Sequence, residues 1–282
     1  MSGPLLQLDG VRWSPRGHEV LRGITISVEA GELVALIGPT GSGKSTLRRI
    51  LGRLLRPSAG RVRLGGRDAW SLAPGEVARR VAFLPQSPEA SPDLTVAELV
   101  WHGRYPHHRG LARSFGGARP ADRAAVESAL HQAGVAELRA ARLGELSGGE
   151  QRRAWIALVL AQEAELLLLD EPTAFLDIGH QLELLALLRR LHEERGTTTV
   201  MALHDLAYAG SHATRVVALS GGQVAADGPP GRVLTSEQLS ALYGVPVTVL
   251  PGPAGAAGLP IVVPRSAAPG PDRGPGARPP GG

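Results

Sequence analysis

The feature that most constrains this chain is a glycine-rich segment that contains its single lysine, Lys44. Of the 30 lysines and arginines, all others are arginine. The segment has the spacing G-x-x-x-x-G-K-S of a phosphate-binding P-loop, whose backbone N–H groups surround phosphates while the lysine reaches their oxygens. A bulkier, planar guanidinium does not imitate that ammonium. The predicted nucleotide-binding residues are Gly38, Pro39, Thr40, Gly41, Ser42, Gly43, Lys44, Ser45 and Thr46.

The flanking residues decide between a P-loop and a chance glycine-serine turn. Residues 32–37 (ELVALI) are typical of a buried strand that enters the loop, and residues 47–51 (LRRIL) of a helix that leaves it. This strand–loop–helix context favours the P-loop. The sequence therefore predicts that the chain binds a nucleoside triphosphate.

The composition excludes several classes of function. Hydrophobic residues make up 43% of the 282 residues, which is ample for a core. No apolar run approaches the roughly 18–20 residues that span a bilayer, and the N-terminus lacks a signal-peptide pattern. The absence of cysteine excludes disulfides, thiolate metal sites and thiol catalysis. We expect a soluble cytoplasmic protein. Its net charge of +4 is modest and its arginines are scattered along the chain, which gives little support to nucleic-acid binding.

Strand and helix patterns alternate along most of the chain. Strands are predicted over residues 5–13, 20–28, 61–64, 81–86, 166–170 and 198–203, and helices over residues 121–133, 178–194 and 205–211. Strands that alternate with long helices indicate an α/β fold with a largely parallel sheet. A capping box at Thr235 and Gln238 predicts a further helix near the end of this region.

The chain divides into a domain and a tail. Residues 1–250 form the predicted nucleotide-binding domain, in which residues 87–146 are a mainly helical insert. Residues 251–282 are rich in proline and glycine. From about residue 264 there is almost nothing to bury, so the tail is predicted to be disordered there.

Two carboxylates follow an apolar strand of four leucines. Asp170 and Glu171 stand at the carboxyl end of that strand, where ligands bind in open α/β sheets. Asp170 is placed to hold Mg²⁺ through water, and Glu171 to orient and deprotonate the water that attacks the γ-phosphate. The alternative is a strand that ends in solvated acids, which the upstream P-loop disfavours.

A second glycine-rich segment consists of Ser147, Gly148, Gly149 and Glu150. Ser147 and Glu150 fit a capping box that begins a helix through Leu160. A helix that opens with two glycines also presents backbone N–H groups and a positive dipole end to an anion. The two roles are compatible, so the segment is predicted both to cap a helix and to contact phosphate.

Together the P-loop, this LSGGE signature and the Asp-Glu strand resemble the nucleotide-binding subunit of an ATP-binding cassette (ABC) transporter, over about residues 5–250. The resemblance implies an ATPase with ATP and Mg²⁺ as cofactors. It also implies a P-loop NTPase ABC cassette of α/β class, with an antiparallel β subdomain and a helical insert. Thr40 stands where many members have Asn, and Glu150 where Gln is common. Neither departure removes a catalytic group.

The resemblance gives roles to four further residues. Trp13 matches an aromatic that stacks on adenine, and the alternative is a strand aromatic in the core. Gln86 matches the Q-loop glutamine, which touches Mg²⁺ or the attacking water, so the implied Mg²⁺ ligands are Ser45, Gln86 and Asp170. Asp177 matches the D-loop aspartate near the dimer seam and also fits an N-cap. His204 matches the switch histidine at the γ-phosphate.

In this family two cassettes dimerise head to tail, with each ATP between one P-loop and the signature of the second copy. One chain carries one copy of each half-site, which fits that arrangement. Ser147 and Gly149 would then act on ATP bound to the second copy. Hydrolysis would remove the anion that holds the signature helix and open the dimer.

Three further segments resemble one importer subfamily: GRYPH at residues 103–107, AWIALVLAQ at residues 154–162 and LDIGHQ at residues 176–181. Its members energise uptake of ferric siderophores, haem or cobalamin through an integral membrane permease and an extracytoplasmic substrate-binding protein. The resemblance implies a peripheral subunit on the cytoplasmic face of the membrane. His102, His107 and His108 suggest a metal site, but we prefer a surface loop facing the permease because no carboxylate is near in sequence.

The alternative is a soluble ABC ATPase that acts on nucleic acid or ribosomes. Such proteins usually carry two cassettes or a long coiled coil, and this chain shows one cassette without sustained heptads. A P-loop kinase has no reason for the LSGGE signature, and an exporter would normally fuse membrane helices to the cassette. The sequence therefore favours an importer subunit and leaves its cargo open.

Overall fold

A computed structural model describes residues 3–108, 119–250 and 260–265 of the chain. The strands are β1 (Leu6–Trp13), β2 (Leu21–Val28), β3 (Leu33–Ile37), β4 (Ala59–Leu64), β5 (Arg67–Asp68), β6 (Val81–Leu84), β7 (Leu166–Leu169), β8 (Thr198–Ala202), β9 (Arg215–Ser220), β10 (Gln223–Gly228), β11 (Val247–Leu250) and β12 (Ile261–Pro264). The helices are α1 (Lys44–Leu51), α2 (Pro74–Ala78), α3 (Val96–Trp101), α4 (Pro120–Gln132), α5 (Gly148–Ala161), α6 (Ile178–Arg195), α7 (Leu206–His212), α8 (Pro230–Val233) and α9 (Ser236–Tyr243).

Two sheets carry the fold. Six strands form the larger sheet in the order β10-β9-β3-β8-β7-β6, and every neighbouring pair in it except β10 and β9 is parallel. The smaller sheet is antiparallel, with the order β2-β1-β4-β5. The predicted α/β class, its parallel sheet and its antiparallel β subdomain are confirmed.

The central strand β3 is buried on both faces, as its uninterrupted apolar sequence predicts. Leu33, Ala35 and Ile37 point into a core shared with the helices that follow. Val34 and Leu36 point into a second core, which lies against the antiparallel sheet and α1. With both faces fixed, the end of β3 is a rigid support for the loop that follows it.

Helices α3 and α4 lie within the segment predicted as a helical insert, between β6 and α5, and both pack on α5. Thr95 begins α3 with a capping box, in which its hydroxyl accepts from the Glu98 N–H. The division of the chain into domains stays a prediction, but these helices fit the proposed insert. Among the described residues, no helix has the length and apolar content to cross a membrane.

The final strand, β12, falls in the segment that the sequence assigns to the tail. It pairs antiparallel with β11, from Val247 opposite Pro264 to Leu250 opposite Ile261. Its apolar run is too short to be identified as a strand without that partner. The ordered fold therefore extends past the predicted boundary at residue 250. Residues 266–282, predicted to be disordered, lie outside the described residues.

Candidate ATP-binding and hydrolysis site

The glycine-rich loop connects the end of β3 to the start of α1. At Gly43, which has φ +101°, a Cβ would lie 2.6 Å from Leu21 Cδ2. At Gly38, which has φ +142°, a Cβ would collide with the carbonyl oxygen of Leu219. Positive φ and close neighbours together require glycine at both positions. The loop thus wraps tightly before the N-terminus of α1, where phosphate can meet unpaired N–H groups.

The ammonium of Lys44 lies inside this loop. Lys44 Nζ donates to the carbonyl oxygens of Gly38 at 2.6 Å and Pro39 at 3.0 Å. Burial, and then the charge of Arg48, lower the pKa of Lys44. The lysine is thus held at the loop by weak neutral acceptors, and phosphate oxygens are stronger partners for the same ammonium.

A cleft of about 390 Å³ opens beside the loop. It is lined by Val20, Thr40, Gly41, Ser42, Gly43, Lys44, Ser45, Thr46, Gln86, Glu171 and His204. The structure therefore brings the three predicted catalytic residues to the predicted nucleotide-binding residues, although four separate segments supply them. Gly38 and Pro39 contribute through the carbonyl groups that hold Lys44.

Glu171 is the central side chain of the cleft. One carboxylate oxygen accepts from Gln86 Nε2 at 2.6 Å, and the other lies 2.6 Å from His204 Nε2. Because an ionised carboxylate only accepts, His204 donates from that nitrogen. Glu171 has φ +46°, a conformation that is strained for a residue with a side chain. Two polar partners and a fixed backbone thus orient the carboxylate toward the loop.

Asp170 does not line the cleft with Glu171 but faces the start of α1. Its carboxylate forms an ion pair with Arg48, whose Nη2 donates to Ser45 Oγ at 2.9 Å. Burial is the main cause that raises the pKa of Asp170, while the charge of Arg48 opposes that shift. Two of the predicted Mg²⁺ ligands, Ser45 and Asp170, are therefore held by one guanidinium.

Arg152 on α5 fastens two loops of the site. Its guanidinium donates, at 2.8–3.4 Å, to the carbonyl oxygens of Pro85, Gln86, Asp170, Glu171 and Pro172. Burial lowers the pKa of Arg152 to about 10. This side chain therefore supports both the Gln86 segment and the Glu171 segment from behind.

The signature segment forms the predicted capping box at the start of α5. The Ser147 hydroxyl accepts from Glu150 N–H and donates to Glu150 Oε2, which also accepts from the Ser147 N–H. These hydrogen bonds, first the one from the Ser147 hydroxyl, lower the pKa of Glu150. Ser147 and Gly148 are exposed, so the helix N-terminus can be reached by an anion from outside.

The D-loop residues lie against the signature of the same chain. Asp177 caps α6 by accepting from His180 N–H at 2.9 Å, and its other carboxylate oxygen lies 2.8 Å from the His180 ring. That ring covers Gly149 so closely that a Cβ there would collide with it. Phe175 nearby is 86% exposed. The predicted N-cap role of Asp177 is confirmed, and a Cβ at position 149 would displace the His180 ring.

Trp13 is not among the described residues that line the cleft. It ends β1, is partly buried against the core, and accepts from Val20 N–H through its carbonyl oxygen at 2.9 Å. Val20 itself lines the cleft. The structure thus places Trp13 next to the site without showing its ring in it, and its role at adenine stays a prediction.

The expectation for the three histidines is wrong for His108. Its side chain is buried, and Nε2 lies 3.5 Å from Asp122 Oδ2, beside the buried ion pair of Arg104 and Asp122. The carboxylate comes from α4, so sequence proximity did not reveal it. Among the described residues, no group of three or more acidic, histidine or cysteine side chains could hold a metal ion.

Sequence reasoning missed Arg48, Arg152 and Val20. The signal for Arg48 was present, because Lys44, Leu47, Arg48 and Leu51 share one helix face by their spacing and are all buried. Arg152 lies in the helix after the signature, where its register against the two loops depends on the tertiary fold. Val20 has no sequence signal of its own.

The comparisons with known proteins agree with this geometry. The model of the ABC transporter family matches residues 21–174, which is more than half of the chain. The chain belongs to the ABC transporter family and is one of its ATP-binding, ATP-hydrolysing subunits. No other family is needed to account for the cleft, the signature and the two sheets.

Several curated relatives cover most of the chain. The ferric enterobactin transport ATP-binding protein FepC of Escherichia coli is 42% identical, over 88% of this chain and 89% of its own length. The iron(3+)-hydroxamate import ATP-binding protein FhuC of Bacillus subtilis is 41% identical, over 83% and 86%. The hemin import ATP-binding protein HmuV of Streptomyces coelicolor is 43% identical, over 86% and 85%.

Solved structures show the same fold. An inward-facing metal-chelate type ABC transporter, itself described as putative, matches with a TM-score of 0.80 at 25% identity, over 93% of this chain and 98% of that one. A dimeric bacterial ABC transporter cassette matches with a TM-score of 0.68 at 28% identity, over 80% and 98%.

Proposed function

We propose that this chain hydrolyses ATP to energise uptake of a ferric siderophore, or of haem or cobalamin, through a separate integral membrane permease. It would bind that permease at the cytoplasmic face of the membrane, and an extracytoplasmic substrate-binding protein would deliver the cargo. The observation that carries the ATPase half is Glu171, held by Gln86 and His204 beside the P-loop. The names of the curated relatives support the cargo class.

The geometry supports an in-line transfer of the γ-phosphate to water. Phosphate oxygens of ATP would replace the carbonyl oxygens of Gly38 and Pro39 as partners of Lys44. Glu171 would accept a proton from the attacking water, because its carboxylate is fixed at the cleft mouth. His204 would then contact the γ-phosphate, and Trp13 would stack on adenine.

The residues around Ser45 fit a magnesium ion. Mg²⁺ prefers oxygen ligands, and the Ser45 hydroxyl, the Asp170 carboxylate and the Gln86 amide oxygen supply them. Ser45 and Asp170 already share one cation, Arg48, which shows that their oxygens approach one positive charge together. When bound, Mg²⁺ would neutralise charge on the phosphates during transfer.

The partner in hydrolysis would be a second copy of the chain. The exposed N-terminus of α5 offers Ser147, Gly148 and Gly149 to ATP on that copy, with Glu150 holding the cap and Asp177 at the seam. None of these residues is among the described residues that line the cleft of their own chain. The dimeric cassette among the similar structures supports this arrangement.

A soluble ABC ATPase acting on nucleic acid or ribosomes is less well supported. The three curated relatives named above are import or transport subunits by name. No observation in the described residues favours nucleic acid over a permease.

Glu171→Gln tests the ATPase half. The variant should bind ATP, lose nearly all hydrolysis because the general base is gone, and accumulate as an ATP-held dimer. Light scattering at saturating Mg-ATP measures that dimer, and turnover is measured on the same sample. Glu194→Gln, an exposed change on α6, is the matched control. A variant that hydrolyses ATP at the normal rate would show that Glu171 is not the base.

The cargo is tested in source cells whose only copy carries Glu171→Gln. Uptake of labelled ferric siderophore, haem and cobalamin would be compared with cells that carry Glu194→Gln. Loss of one cargo alone supports the importer and names its substrate. Normal uptake of all three contradicts the proposed cargo class without touching the ATPase assignment, which the purified protein tests separately.

A further inference from the structure

Arg48 is a fixed positive charge inside the protein, one turn along α1 from Lys44. It is 1% exposed. A buried guanidinium is costly unless it is paired, so its partners explain why it is tolerated. Those partners are the Asp170 carboxylate and the Ser45 hydroxyl. Both belong to the set of oxygens that fits Mg²⁺.

The pairing of Arg48 is incomplete. Its Nε has no hydrogen-bond partner among the described residues, and the neighbouring Lys44 adds a second positive charge to the same place. The burial of Arg48 is therefore not compensated by a full set of hydrogen bonds. Its contacts are concentrated on the two side chains that a metal ion would need.

We propose that Arg48 is a positioning residue that occupies the metal-binding oxygens of Ser45 and Asp170 until Mg-ATP binds. In the nucleotide-free chain the guanidinium keeps these two groups together and neutralises the buried carboxylate. When Mg-ATP binds, Mg²⁺ and Arg48 compete for the same oxygens. Arg48 thereby raises the Mg²⁺ concentration that nucleotide binding requires. This inference rests on the magnesium site of the proposed function.

The competition follows from charge and geometry. A carboxylate in a poorly solvated place gains most from one close cation, and a second cation at the same oxygens repels the first. Arg48 cannot lose its proton to relieve that repulsion, because guanidinium stays charged in proteins. It must instead shift away from Asp170 or Ser45 as Mg²⁺ arrives.

The test measures equilibrium binding of a fluorescent ATP analogue to the full chain as a function of free Mg²⁺. Arg48→Leu should lower the Mg²⁺ concentration at half-maximal binding by about tenfold, because the cation that competes with Mg²⁺ is removed. Arg49→Leu is the matched control, because Arg49 is the next residue on α1 and is exposed; its value should stay that of the wild type. An unchanged or higher Mg²⁺ requirement for Arg48→Leu overturns the proposal.

A double-mutant cycle separates competition from a general packing effect. In an Asp170→Asn background the carboxylate for which Mg²⁺ and Arg48 compete is gone. Arg48→Leu should then no longer shift the Mg²⁺ concentration that binding requires. An equal shift in both backgrounds overturns the proposal. If wild-type binding of the analogue does not depend on Mg²⁺, the magnesium site itself fails, and with it the inference.

Folding of the variants is checked by thermal unfolding without nucleotide. Should Arg48→Leu not fold, Arg48→Lys keeps the charge but loses the two-point contact of the planar fork. It should still lower the Mg²⁺ requirement, by a smaller factor than a neutral residue. No decrease in Arg48→Lys overturns the proposal.

Discussion

In the proposed function the cleft around Glu171 and the signature at Ser147 both contact phosphate, but the chain prepares them differently. In the cleft, side chains from distant segments touch one another, as Gln86 and His204 do on either side of Glu171. At the signature, the Ser147 hydroxyl and Glu150 bond to each other in a capping box within the first turn of the helix. The cleft forms only when the tertiary fold brings distant segments together. The capping box of the signature forms within one helical turn, and its Ser147 and Gly148 are exposed.

The two sites therefore differ in how much of the fold must form before each of them can bind an anion. A cleft of several segments needs the whole sheet to form before its residues meet, so its geometry reports the tertiary fold. A capped helix N-terminus needs only its own first turn, and its free N–H groups remain available to an outside anion. A chain that carries one of each is suited to supply one half-site to itself and the other to a second copy.

Among the changes that compare the loop with the signature, Lys44→Arg is expected to have the largest effect. The guanidinium keeps the charge but cannot take the place of the ammonium inside the tight loop, so ATP hydrolysis should fall on the order of 100-fold. Turnover of the purified chain measures this, with Arg49→Lys as an exposed control on the same helix. Turnover like that of the wild type would contradict the argument that this loop needs a lysine rather than an arginine.

Mixing two defective variants tests whether the two regions act in different copies. Lys44→Arg spoils the loop, and Gly149→Ala spoils the signature because its Cβ collides with His180. In a head-to-tail dimer an equal mixture gives one intact composite site in half of the dimers, so turnover should rise above that of either variant, to at most about a quarter of the wild-type value.

Each variant alone is the control for that mixture. Turnover that stays at the level of the separate variants would show that loop and signature do not complement each other between copies. Gel filtration with ATP checks that mixed dimers form.

The smallest effect is expected at the C-terminus. Deleting residues 266–282 should leave ATP turnover unchanged. Ending the chain after Leu250 also removes β12 and should lower Tm by roughly 2–4 °C, the shift that about 1 kcal/mol gives in a domain of this size, since β11 loses its paired strand. Thermal unfolding measures both. Equal Tm values for the two truncations would mean that β12 adds nothing to stability.

The sequence predicted those parts of the site that are encoded locally. The loop at Lys44, the capping box at Ser147 and the strand before Asp170 each depend on residues close together along the chain. Their spacing alone specifies a turn, a helix start or a strand end. The convergence of Gln86, Glu171 and His204 came from the family resemblance, because no local pattern links their three segments.

The rest depends on contacts between segments. The spacing of Arg48 places it on the buried face of α1, but its pairing with Asp170 shows only in the packed structure. Arg152 is buried by contacts that its sequence neighbours do not reveal. His108 gained its carboxylate neighbour from α4, and β12 became a strand because β11 lies beside it. Side-chain burial and partner choice are set by tertiary packing, which a single sequence does not show directly.

The guanidinium of Arg152 has a wider consequence. It lies one turn inside the helix that begins with the signature, and it donates to the carbonyl oxygens of Asp170 and Pro172 on either side of Glu171. A tilt of that helix would drag these carbonyl groups with it. In the proposed dimer, loss of the phosphate bound at the signature of one copy would thus shift Glu171 of that same copy. The two ATP molecules would then not be hydrolysed independently.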